Sequence, residues 1–221
     1  MLLLSNMGSR VLRVLPLVAV LCAGASLGAQ PTSEVWPEID LYWRPALHQR
    51  SMLELSKSAE REGEKHEATI GAYQDYLFLP LGYVRAGYRF TFSTRDASYR
   101  ESRGVVESTL TADLTPLWHL ADRVRLEPRW VNGVFSYRVR DRLHLQRERR
   151  PARAWALAPY ATAEAYYDSR FDTIARIGGR VGTVLRFSPR RSIDLYLARQ
   201  ANSRTTPRDI EAFGVTLALT Y

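Results

Sequence analysis

The chain has 221 residues, 31 of them Lys or Arg against 23 Asp or Glu, and a single cysteine. That length fits one domain with little room for a second, and one Cys excludes an internal disulfide and any multi-cysteine metal site. A formal charge of +8 ordinarily suggests an anionic partner such as nucleic acid, but the N-terminus points out of the cytoplasm and argues against it.

Residues 1–29 read as a secretory signal peptide. Arg10 and Arg13 precede the apolar run "VLPLVAVLCAGASLGA", which closes on small residues, so cleavage is expected after Ala29. The run is short for a spanning helix, which needs roughly 20 apolar residues, and Pro16, Gly24 and Gly28 interrupt it. Leu21, before Cys22, is large where a lipidation site wants a small residue. The mature domain is then 30–221, without cysteine. Removing Arg10 and Arg13 from the 31 basic residues leaves 29 against 23 acids, or +6. Only Lys57 and Lys65 are lysines; the remaining basic residues are arginines, whose flat forked head suits paired, partly buried sites.

Beyond the signal the dominant period is two, the mark of strands. "EIDLYWR" (38–44) sets Glu38, Asp40, Tyr42 and Arg44 against Ile39, Leu41 and Trp43. Segment 52–58 sets Glu54 and Ser56 against Leu53 and Leu55. Segment 67–78 sets Glu67, Thr69, Tyr73 and Asp75 against Ala68, Ile70, Ala72 and Tyr76. Segment 82–93 opposes Tyr83, Arg85, Arg89 and Thr91 to Val84, Ala86, Tyr88, Phe90 and Phe92, and 105–114 opposes Glu107, Thr109, Thr111 and Asp113 to Val106, Leu110, Ala112 and Leu114. Two arginine ladders follow. The first carries Arg123, Arg125, Glu127 and Arg129 around Val124, Leu126 and Trp130; the second carries Arg138, Arg140 and Arg142 around Val139, Leu143 and Leu145. Segment 153–166 sets Tyr160, Thr162 and Glu164 against Trp155, Leu157 and Ala161. Segment 171–187 sets Arg176, Arg180 and Arg186 against Ala175, Ile177, Val181, Leu185 and Phe187, and 192–200 sets Asp194, Tyr196 and Gln200 against Ile193, Leu195 and Leu197. The last segment, 210–221, carries Phe213, Val215, Leu217, Leu219 and Tyr221 on one face.

Residues i and i+2 of a strand share a face, so each segment has one polar and one apolar surface. The segments are about 9–15 residues long, whereas soluble strands average about five or six; about 9–11 tilted residues cross a bilayer. These features predict an all-β, antiparallel up-and-down transmembrane barrel, apolar outside and with a polar, Arg-rich lumen. The expected lumen-lining charges are Arg85, Arg89, Glu107, Arg123, Arg125, Glu127, Arg129, Arg138, Arg140, Arg142, Glu164, Arg176, Arg180 and Asp194. About eleven runs can be counted. Single-chain bacterial barrels have even strand numbers, and eleven leaves the first strand running the wrong way, so twelve strands are expected, or ten, with the miscount near Pro31–Pro45. Trp43, Tyr88, Phe92, Trp130, Trp155, Phe187 and Tyr221 fit aromatic girdles. The alternating terminus from Phe213 to Tyr221 looks like the signal read by the outer-membrane barrel assembly machinery.

The order "WPEIDLYWR", the form RxRLExR in "RVRLEPRW", the following "SYRVRDRLHLQRE", and "SPRRSIDLYLARQ" resemble the bacterial outer-membrane barrels of domain of unknown function 2490, over roughly Trp36 to Tyr221. The resemblance implies a barrel fold and assigns no active residue. Pro128 breaks the pattern, since proline withholds a ladder donor in mid-strand.

Catalytic chemistry has thin support. His48, His66, His119 and His144 are scattered, and none stands in the Ser, His and acid order of lipid-hydrolysing barrels; a lipid- or lipopolysaccharide-modifying enzyme using His144 or His66 is the alternative. Gly178, Gly179 and Gly182 lie within a strand and read as packing room rather than a phosphate loop. No cofactor or metal is expected. The expected partners in the Gram-negative outer membrane are its lipids and lipopolysaccharide, the assembly machinery, and a small anionic solute if the arginines line an open channel. An internal network of arginines and acids filling the lumen is the preferred alternative to that channel. A soluble secreted β-sandwich is the remaining reading.

Overall fold

The computed structural model describes residues 32–60, 66–95, 99–148 and 156–221. The expected signal peptide with Cys22, and also Trp155, lie outside the described residues. Among the described residues the chain forms eleven strands and no helix: β1 (Thr32–Ala46), β2 (Gln49–Glu60), β3 (His66–Leu77), β4 (Gly82–Ser93), β5 (Arg100–Thr115), β6 (Trp118–Val131), β7 (Val134–Arg147), β8 (Ala156–Asp168), β9 (Thr173–Ser188), β10 (Arg191–Asn202) and β11 (Asp209–Thr220). Each pairs with its sequence neighbours, and β1 pairs with β11 to close a barrel. No two-sheet sandwich forms.

The expected count of twelve, or ten, is corrected to eleven. Nothing is missing or surplus near Pro45, since β1 runs unbroken from Thr32 to Ala46. An odd number of up-and-down strands leaves the first and last pointing the same way, so the closing seam is parallel rather than antiparallel. Face parity makes this seam workable. Val35 meets Phe213, Ile39 meets Leu217 and Leu41 meets Leu219 on the outer face, while Glu38 meets Thr216 and Asp40 meets Ala218 inside. A one-residue slip would turn every side chain to the wrong face.

We call the end where β1 begins the top and the end where the chain finishes the bottom. The top holds the turns 132–133, 169–172 and 203–208 and the facing ends of β2 and β3 and of β4 and β5, and the bottom holds 47–48, 78–81, 116–117 and 189–190 and the facing ends of β7 and β8. Tight turns thus dominate the bottom without being confined to it. At the top, Asn132 (φ 49°) and Gly133 (φ 85°) both take the left-handed region, as the two-residue turn favoured between twisted antiparallel strands demands. The expected break at Pro128 leaves the register intact: Arg103 still faces Arg129 and Val106 still faces Leu126, while the proline ring stands against Gly104 of β5.

The alternation is inverted relative to a water-soluble barrel. Outward are Val35, Ile39, Trp43, Ile70, Val106, Leu126, Ile177, Val181, Leu197 and Phe213, each more than a third exposed. Inward and buried are Glu54, Asp75, Arg85, Glu107, Arg125, Glu127, Arg129, Arg140 and Glu164. Exposed aromatics gather near both rims, Trp130, Phe135 and Tyr137 above, and Trp43, Tyr76, Trp118, Phe187 and Tyr221 below. Tyr88 lies instead at mid-strand. Phe213, Val215, Leu217 and Leu219 share the outer face, as their spacing predicts. One expected outward residue is corrected. Ala175 is buried, because the β8–β9 register shifts between Tyr166 and Tyr167 and takes it out of alternation. Two outward carboxylates, Asp122 and Asp141, interrupt the apolar wall on β6 and β7 as diagonal neighbours.

Two small apolar clusters pack inside the wall. Tyr160, Tyr196, Ala198 and Ala212 form one with Trp36 and Val184, and Met52, Tyr73 and Val105 form the other with Tyr42. The Tyr196 ring lies flat because its partner across the strands is Gly214; a Cβ there would sit inside the ring. Gly214→Ala is therefore expected to destabilise the barrel by about 1–3 kcal/mol, the usual cost of overpacking. Thr216→Ala, on the same inner face, should cost less. The temperature at which the folded, faster-migrating gel band converts to the unfolded one measures both.

Candidate functional site: the charged lumen

Cross-strand neighbours on the inner face make a belt that climbs from the bottom of β3 to the top of β10: Asp75, Arg85, Glu107, Arg125, Arg140, Tyr166, Arg176 and Asn202 pair in turn. Its first half alternates in sign. Arg85 holds Asp75 in a forked contact, Nε to Oδ1 at 2.6 Å and Nη2 to Oδ2 at 3.0 Å, and Arg50 joins the same carboxylate at 2.6 Å. Arg125 donates Nε to Glu107 at 2.5 Å.

Between β5 and β7 the register sets arginine against arginine, which by itself is destabilising. Arg103 faces Arg129, Arg125 faces Arg140 and Arg123 faces Arg142. Each of these three pairs is bridged by one carboxylate from a neighbouring position. Glu101 lies 2.7 Å from Arg103 and 3.5 Å from Arg129. Glu127 lies 3.5 Å from Arg125 and 3.2 Å from Arg140, and Glu164 lies 3.4 Å from Arg123 and 2.9 Å from Arg142. Glu127 also takes Arg103 at 3.2 Å, and Glu164 takes Arg140 at 2.8 Å, so the bridges join into one network. At its top Asp168 receives Arg129 at 2.6 Å, Arg170 at 2.9 Å and Arg138 at 3.6 Å. On the far side Arg89 pairs with Glu54 at 2.7 Å, and Tyr73 donates its hydroxyl to the same glutamate.

Of the lumen charges expected from the sequence, the structure brings Arg85, Arg89, Glu107, Arg123, Arg125, Glu127, Arg129, Arg138, Arg140, Arg142 and Glu164 into ion pairs. Arg176, Arg180 and Asp194 stay outside the ion pairs among the described residues. Arg180 stacks against Tyr196 and Trp36, its guanidinium carbon 4.7 and 5.7 Å from the ring centres. Asp194 accepts from Tyr160 at 2.9 Å, and its other oxygen is buried without a partner. Asp40 is alike, with Tyr42 donating to one oxygen at 3.1 Å.

Four essential partners are missed by the period-two pattern. Glu101 and Arg103 fall in a stretch whose composition reads as loop, and Asp168 and Arg170 in one that reads as turn. Counting by twos from Glu107 toward the N-terminus reaches Arg103 and Glu101, so the signal is present and the turn-forming residues around it mask it.

The carboxylates of the network are packed away from solvent. Glu127 and Asp75 are fully buried and Glu107 is 1% exposed. Above the network lie cavities of about 210 Å³, against Arg89, Arg180 and Glu38, and about 310 Å³, against Arg138, Arg176 and Asp168. Below it a recess of about 450 Å³ reaches Arg123, Arg142 and His144.

Three of the four histidines sit at this lower end. His119 contacts Asp113 at 2.6 Å through Nδ1 and approaches Glu148 at 3.8 Å through Nε2. His144 stacks on Tyr160 and contacts Gln146, and His48 contacts the Leu77 carbonyl. None of these ring contacts is to a serine or threonine. His66 begins β3 at the top rim. Gly182, read as packing room, lies beneath Tyr160 and Tyr196.

No family model matches this chain, and no curated protein matches it.

Removing one partner of a buried ion pair leaves an uncompensated charge at a cost of about 3–5 kcal/mol. Glu127→Gln takes one carboxylate from Arg103, Arg125 and Arg140, each of which keeps another, so equilibrium unfolding in denaturant should show a loss of up to about 3 kcal/mol. Arg186→Gln, which breaks a 3.5 Å contact with Glu148 at a half-exposed site, should cost under about 1 kcal/mol.

Proposed function

We propose that this chain is an outer-membrane β-barrel without enzymatic activity, a structural or narrowly conducting protein whose lumen is held shut by its own arginine–carboxylate network. The observation that carries this reading is the inversion of the wall, with apolar side chains exposed outside and charges buried inside. In water that arrangement wastes the hydrophobic effect and desolvates ions; in a bilayer it satisfies both media. Strands of 12–16 residues, rising about 3.3 Å each and tilted by about 40°, span roughly 30–40 Å, enough for the apolar band of such a barrel. Aromatics near both rims agree with this placement. Processing of residues 1–29, recognition of the Phe213–Tyr221 strand by the assembly machinery, contact with lipopolysaccharide and membership of the resembled family belong to the same proposal.

A charge on the outer wall separates a membrane barrel from a soluble one. Leu126 lies outward near the middle of β6 and is 44% exposed. Leu126→Arg should destabilise the protein in lipid vesicles by about 2–4 kcal/mol if that site faces the bilayer midplane. An unchanged unfolding midpoint, or recovery of the native protein from the soluble periplasmic fraction, would refute the membrane placement.

The shut lumen is tested separately in planar bilayers. The wild type should give conductance steps far below those of a water-filled porin. Steps of porin size would show that the network does not block passage.

A further inference from the structure

Three of the arginine pairs that the register sets face to face have a carboxylate between their members, and in the fourth, Arg89 with Arg103, each arginine is held by a glutamate of its own. Arg138 and Arg176 share no carboxylate among the described residues. They stand on β7 and β9, on either side of β8, and both guanidiniums lie over the ring of Tyr166, 5.6 and 5.4 Å from its centre. Arg138 donates no hydrogen bond to any described residue; its sole ion pair is the 3.6 Å contact with Asp168, whose oxygens already receive Arg129 and Arg170. Among the described residues Arg176 uses only Nε, donated to Asn202 at 2.6 Å, and its two terminal nitrogens donate to none of them. Both side chains line the upper cavity of about 310 Å³. The partner of Arg138 across to β6 is Glu127, which is taken by Arg103, Arg125 and Arg140, and Glu101, which also lines the cavity, is taken by Arg103, Arg129 and Tyr99.

We propose that Arg138 and Arg176 form a binding site for a phosphate-type oxyanion at the top of the lumen. The anion takes the place that Glu101, Glu127 and Glu164 fill elsewhere. Arginine forks suit it because they present paired donors to a tetrahedral or planar oxyanion. The Tyr166 ring holds the two guanidiniums in place before the anion arrives, and the volume is at the small end of ligand sites. The site rests on the proposed reading of the barrel only in that its upper mouth must meet solvent; the closed network beneath makes it a terminal pocket rather than a step in a conduction path.

Titration calorimetry of the purified mature protein in detergent, with inorganic phosphate against chloride at matched ionic strength, tests the site. Saturable phosphate binding is expected, weakened at least about tenfold by Arg138→Gln or Arg176→Gln and unchanged by Arg186→Gln. On the wild type, phosphate should protect Arg138 and Arg176, but not Arg186, from phenylglyoxal, read by peptide mass spectrometry; this readout does not depend on the variants folding. No saturable binding, equal affinity in folded variants, or protection spread over all arginines would overturn the proposal. Heat-modifiable migration of the same samples reports whether the barrel is formed, so loss of the site is separable from loss of the barrel.

Discussion

A guanidinium taken out of water is costly unless a carboxylate meets it, and most of the lumen is organised by that requirement. Strand register alone would make its central wall repulsive, since it places Arg103 beside Arg129, Arg125 beside Arg140 and Arg123 beside Arg142. Three glutamates, one for each pair, convert that repulsion into a cross-linked sheet surface. Because each glutamate serves at least two arginines, the ion pairs are not independent. Altering one changes the environment of several strands, which is the condition under which contributions cease to be additive.

The opposite wall solves a different problem. On β11 the inner face carries Ala212, Gly214, Thr216 and Ala218, almost without side chain. That leaves room for Tyr196 and Trp36, and these rings hold Arg180 where no acid does. Small residues at the parallel seam and bulky ions across from it are thus two halves of one packing solution. The outer face of the seam is closed by apolar pairs such as Val35 with Phe213.

The period of two makes the architecture and the two faces legible in the sequence, because alternation is a local property of each strand. Arg125 and Glu127 can be assigned to the lumen from their own ladder. Their partners cannot, because pairing depends on register across strands. Glu101, on the far side of a stretch rich in turn formers, is hidden for that reason, and so is Asp168, at the end of β8. Ala175 fails differently: a local register shift rotates one residue out of phase, and no compositional signal marks it. The parallel seam runs against the precedent of even-numbered barrels, although the count of eleven runs already implies it. Eleven up-and-down strands require that β1 and β11 run the same way.

The charges that the network leaves over, or holds only loosely, lie at different heights in the lumen. Asp40 and Asp194 lie on β1 and β10, each capped by a single tyrosine hydroxyl, while Arg138 and Arg176 flank β8 under the upper mouth. Arg176 and Asp194 lie on neighbouring strands and are kept apart by height, Arg176 near the top of β9 and Asp194 near the bottom of β10. Arg180 lies between them in height and is held by rings rather than by an acid. Inside the wall the leftover ions lean on tyrosine and tryptophan side chains, and at the upper margin the cavity brings arginines toward solvent.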